Sequence, residues 1–85
     1  MKKIIHGRTY DTATARRLCA WSPTGDHANS ETTLFRKRSG ECFLGCWHNL
    51  RGTDIVPLRR ESALRYAELH MDADEYETEF GEVPE

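Results

Sequence analysis

The stretch from Glu31 to His48 constrains this chain more than any other. Two strand-like runs, 31–38 and 41–48, flank Ser39-Gly40. Runs rich in Thr, Phe and Trp around a short Gly-containing loop read as a β-hairpin. A two-residue loop sets the expected register: Arg38 opposite Glu41, Phe35 opposite Leu44, and Leu34 opposite Gly45. One face of the pair then carries Phe35, Cys42, Leu44 and Cys46, and the other Leu34, Phe43 and Trp47. Both faces are apolar, so both need cover, from helices on one side and a partner on the other.

The flanking segments supply that cover. Residues 2–10 read as β structure around Ile4 and Ile5, with Gly7 marking either a bend in one strand or a tight hairpin. Asp11-Thr12 offers an N-cap, and Ala15, Leu18 and Cys19 recur at helical spacing, so a helix is expected over 12–20. Ser22-Pro23-Thr24-Gly25-Asp26 stops it. After a turn over 49–53, residues 54–58 read as a short strand ended by Pro57. A second helix is expected over 59–70, with Ala63, Leu64, Ala67 and Met71 inward and Tyr66 at the edge. These elements predict an α+β fold: a three- to four-stranded antiparallel sheet, two helices on one face and a short acidic C-terminal helix. The 85 residues form one small domain.

Charge is divided unevenly. All twelve Lys and Arg residues lie before Met71, whereas 71–85 holds Asp72, Asp74, Glu75, Glu77, Glu79, Glu82 and Glu85 and no basic residue. This acidic end is patterned. Asp72 stands as an N-cap three residues before Glu75, Tyr76 and Phe80 are four apart, and Gly81 is a natural stop. A short helix with two aromatic anchors is expected there, its carboxylates in water. Their axial spacing is of the order of the charge spacing of duplex DNA, about one per 1.7 Å. Such a surface can occupy a basic groove made for nucleic acid, or neutralise the basic surface of its own domain.

Other chemistries find less support. So small a core leaves little room for a deep substrate pocket, and no catalytic residue is expected. No apolar run approaches the ~20 residues of a membrane span, and the Lys2-Lys3 start lacks the apolar segment of a secretion signal, so a cytoplasmic protein is expected. Three Cys agree with a reducing compartment. Cys42, Cys46 and His48, with His6, Cys19 or His27, invite a zinc reading. On an extended strand, however, Cys42 and Cys46 stand ~13 Å apart, too far to share one ion. Neither metal nor cofactor is expected. Cys46 and His48 share a strand face, but no third group orients them for nucleophilic chemistry. No Gly-rich phosphate loop is present. The basic residues Arg36, Lys37, Arg38 and Arg51, with Phe43 and Trp47 for stacking, could form a nucleic-acid surface. The net charge of −2 weighs against general nucleic-acid binding.

Several segments together resemble a family of small, mostly uncharacterised bacterial proteins found with phages and other mobile elements. They are Ile4-Ile5-His6-Gly7-Arg8 with Tyr10-Asp11-Thr12; Glu31-Thr32-Thr33-Leu34-Phe35-Arg36 with the Gly40 turn and Phe43-Leu44; Ile55-Val56-Pro57-Leu58; and Asp74-Glu75-Tyr76 with Phe80-Gly81-Glu82-Val83. The chain departs from the family pattern at His6, at Arg59 and at Cys46-Trp47-His48. The resemblance implies no enzyme activity. Its mobile-element setting implies a small inhibitor of host defence, most concretely an anti-CRISPR protein that binds a CRISPR-Cas effector complex. Asp72, Asp74, Glu75, Tyr76, Glu77, Glu79 and Trp47 are the expected partner-binding residues. A small nucleic-acid-binding regulator using the basic hairpin is the alternative.

Overall fold

The central hairpin forms, but its loop is one residue longer than the sequence suggested. In the computed structural model, which describes residues 1–81 and 83–84, Lys37 N–H donates to Glu41 O at 2.8 Å and Gly40 N–H to Lys37 O at 2.9 Å. Arg38, Ser39 and Gly40 are therefore the loop, and Gly40 takes φ 93°. This is the three-residue hairpin in which a turn ends on a left-handed residue, a place suited to glycine. The extra loop residue slips the pairing by one, so Leu34 faces Leu44 and Phe35 faces Phe43. Relative to Cys42–His48, every residue of the preceding strand changes face.

Eight elements follow one another: β1 (Lys2–Ile5), β2 (Arg8–Asp11), β3 (Arg16–Trp21), β4 (Ser30–Arg36), β5 (Cys42–His48), β6 (Gly52–Pro57), α1 (Arg60–His70) and α2 (Ala73–Phe80). β1 and β2 pair as a separate hairpin, and the other strands form an antiparallel sheet in the order β3-β4-β5-β6. The fold is α+β, with both helices on one face of the four-stranded sheet. On that face Leu34, Cys42 and Leu44 pack with Ala63 and Ala67 of α1. The opposite face is covered by the chain itself. Tyr10 and Ile5 of the small hairpin cluster with Phe43, Ile55 and Phe35. Tyr10 meets Phe43 edge to face, with centroids 5.5 Å apart.

The helix expected over 12–20 is instead a turn followed by an edge strand. Asp11 does cap that turn: its side chain accepts from Ala13 N–H at 2.9 Å and its carbonyl from Ala15 N–H at 3.1 Å. The turn does not propagate, because β4 has a free edge and Arg16–Trp21 pairs with it. A bulge between Arg17 and Cys19 puts both Leu18 and Cys19 against the helix-side core. Two adjacent apolar residues on one side are what a helical repeat resembles, and here a bulge produces them. Trp21, in the same strand, lies along α1, stacked on His70 at 3.8 Å and on Tyr66 at 5.5 Å between centroids.

One position shows how tight the sheet is. A Cβ at Gly45 would stand 2.9 Å from Cε2 of Phe35, whose ring is stacked on Phe43 at 5.2 Å. The ring has Phe43 behind it and cannot withdraw freely. Gly45→Ala is expected to destabilise the fold by about 1–3 kcal/mol, the usual cost of overpacking. Chemical denaturation checks this, and Gly45→Ala with Phe35→Leu should recover part of the loss.

Candidate functional site

The acidic end folds as its local pattern indicates. Glu75 N–H donates to the Asp72 carboxylate at 2.8 Å, and Gly81 N–H closes the helix on Glu77 O at 2.8 Å. Tyr76 and Phe80 lie 5.4 Å apart between centroids and pack on the helix-side core. Glu82 and Glu85 lie outside the described residues, so the site rests on Asp72 to Glu79.

Its carboxylates divide into two kinds. Glu79 belongs to the architecture: its side chain is only 10% exposed and takes Arg16 Nη2 at 2.5 Å and Arg36 Nη1 at 3.0 Å. Arg36 also donates to Glu79 O, and its guanidinium sits 5.1 Å from the centre of the Phe80 ring. This corrects two expectations at once. Glu79 is held by two arginines rather than presented as a free carboxylate, and Arg36 is not a wholly free cation, because Glu79 takes its Nη1 edge. Asp72, Asp74, Glu75 and Glu77 are the second kind: all are exposed, and among the described residues none makes an ion pair. The bond from Glu75 N–H holds the Asp72 carboxyl below its ordinary range, and sharing a hydrogen bond with Asp72 raises that of Glu75. Tyr76 is half-buried and lines an open groove of about 380 Å³ with Met71, Ala73 and Val83, flanked by Glu68 and Glu77. Glu68 was missed from the sequence. Only the docking of α2 beside α1 brings it to the other acids.

Trp47 does not join this surface. It alternates along β5 with Phe43 and Gly45, and Phe43 lies in the hairpin-side cluster, so Trp47 projects from the face opposite the helices, 40% exposed. Nor do the basic candidates converge. Arg36, Lys37 and Arg38 surround one end of β5, while Arg51 lies in the turn after the other end, ~20 Å away for a seven-residue strand. Lys37 is engaged with Glu41 at 2.8 Å and lies 3.8 Å from the centre of the Tyr10 ring.

The same corner holds the clearest perturbed pair. Tyr10 donates to Glu41 at 2.5 Å. This bond, with burial and the Glu41 charge, pushes the phenol above its ordinary value near 10. Burial alone would raise Glu41, but hydrogen bonds from Lys37 and Tyr10 and the charges of Lys37 and Arg8 outweigh it and hold the carboxyl low. Burial raises the thiols of Cys19 and Cys42, which disfavours the reactive thiolate. Among the described residues no three His, Cys, Asp or Glu groups are placed to hold a metal ion. No helix among them is long and apolar enough to cross a membrane. No protein-family model, curated protein or solved structure matches the chain.

Two measurements follow from these contacts. Replacing Glu79 by Ala leaves two guanidiniums without their shared partner. Both retain some access to water, so a loss of about 1–2 kcal/mol is expected, below the upper range for charged hydrogen bonds. Amide exchange should show α2 deprotected while β4 and β5 stay protected; equal protection in α2 would remove Glu79 as its anchor. The Tyr10–Glu41 pair sets a pH window. Glu41, lowered on folding, stabilises above the ordinary carboxylate range, and that contribution is lost as pH falls through its folded value. Tyr10, raised on folding, stabilises below about 10 and loses this as pH rises through its folded value. A tyrosinate absorbance titration should show one of the three tyrosines ionising late, and Tyr10→Phe should remove that phase.

Proposed function

We propose that this protein is a non-enzymatic inhibitor of host defence carried by a mobile element, most concretely an anti-CRISPR that binds a CRISPR-Cas effector complex in the bacterial cytoplasm. Asp72, Asp74, Glu75 and Glu77, with Glu68 beside them, occupy Lys and Arg sites that otherwise hold nucleic-acid phosphates. Tyr76 and the groove around it receive an apolar side chain of the partner. One observation carries this reading: four exposed carboxylates stand on a helix capped at both ends and anchored by Glu79, and no cation of the chain among the described residues neutralises them. Carboxylates held on a docked helix lose less entropy on meeting a basic groove than those of a loose tail. The quieter use of the acidic end, to neutralise its own domain, accounts for Glu79 alone. The mobile-element setting rests on the family resemblance. The alternative, a nucleic-acid regulator working through the hairpin, is weakened because Lys37 is already paired, Arg36 keeps only one edge free and Arg51 stands at the far end.

The test is a gel-shift assay of target-DNA binding by purified effector complexes. The wild-type protein in excess should prevent binding by at least one effector type. Combining Asp74→Lys, Glu75→Lys and Glu77→Lys should keep the melting temperature and weaken inhibition at least about tenfold, a change of about 1.4 kcal/mol. Full inhibition by that variant rejects the acidic surface, and no inhibition of any effector type by the wild type rejects the CRISPR assignment.

A further inference from the structure

The loop of the β4–β5 hairpin borders an open groove of about 620 Å³ lined by Thr14, Arg16, Arg36, Lys37, Arg38 and Ser39. Its volume lies within the range of small-molecule sites, and it is separate from the acidic surface of α2. Three arginines line it, two of them held in place, while the Lys37 ammonium is engaged with Glu41. Both Arg36 contacts to Glu79 run through Nη1, while Nη2 lies beside Gly40, 3.7 Å from where a Cβ would stand. Phe80 supports the same guanidinium from one side. Arg16 touches Glu79 only through Nη2 and is otherwise two-thirds exposed. Arg38 is exposed and makes no ion pair among the described residues. Glu79 offsets part of the charge of the three arginines and leaves an excess of cations.

We propose that this groove binds a small phosphorylated molecule, with its phosphoryl group held by Arg38 and the free edges of Arg16 and Arg36, and by the hydroxyls of Thr14 and Ser39. Planar guanidiniums fixed by other contacts suit a tetrahedral anion, since each can present two N–H groups without further ordering. The size of the groove admits a mononucleotide. A long strand is disfavoured, because the adjoining depression of about 460 Å³ brings in Asp11 and α2 carries the unpaired carboxylates.

The experiment is an amide-shift NMR titration of the whole chain with AMP, inorganic phosphate and a short single-stranded oligonucleotide. Shifts should concentrate at Thr14, Arg16 and residues 36–40, with AMP binding at about millimolar Kd or tighter. Arg38→Glu lies on an exposed loop, so it should leave the remaining spectrum unchanged and weaken binding at least about tenfold. Tighter binding of AMP than of phosphate identifies a nucleotide site, and equal binding identifies a site for the phosphoryl group alone; either supports the proposal. It is overturned by absence of shifts with both small ligands, by unchanged affinity in Arg38→Glu, or by an oligonucleotide that binds about a hundredfold tighter than AMP.

Discussion

Everything in this fold depends on how β4 pairs with β5. These are the two central strands of the four-stranded sheet, and both of their faces are buried. Leu34 and Leu44 must reach the helices while Phe35 and Phe43 reach the small hairpin. A three-residue loop ending on Gly40 delivers that register, and a one-residue change would exchange the faces. Gly45 completes the arrangement by leaving space for the Phe35 ring. Once this pair is set, β3 and β6 extend it on either edge, and the two layers settle on opposite sides.

The second constraint is ionic. An eight-residue helix is too short to be stable alone in water. Tyr76 and Phe80 give α2 an apolar footing, and Glu79 ties it to β3 and β4 through Arg16 and Arg36. That tie separates the two uses of negative charge in this region. The carboxylate that points back to the sheet holds the helix, and those that point away are left for solvent or a partner. It also positions two guanidiniums at the hairpin loop, so the acidic surface and the cationic groove share one structural joint.

Much of the site was legible in the sequence where its determinants are local. The Asp72 cap, the Gly81 stop and the Tyr76–Phe80 spacing depend on residues within one or two helical turns of each other, and all formed. The region 12–20 was misread because a bulge at Leu18 imitates a helical repeat, and because the deciding factor, a free edge on β4, lies elsewhere in the chain. The role of Glu79 was hidden for a similar reason: its partners Arg16 and Arg36 are 63 and 43 positions away. That Trp47 and Arg51 stand apart from the other candidates was not legible, because exposure and strand face follow from register and layer order.

The sequence by itself determined that this is a small α+β chain with a paired central hairpin, a helix before the tail and a capped acidic helix at the end. Those features rest on turn chemistry, hydrophobic spacing and caps, which act over a few residues. Only the tertiary structure decided which face each strand residue occupies, that residues 12–20 extend the sheet, and which acids remain free. These are outcomes of packing and of ion pairs between distant segments, where the energy belongs to contacts that sequence proximity does not reveal.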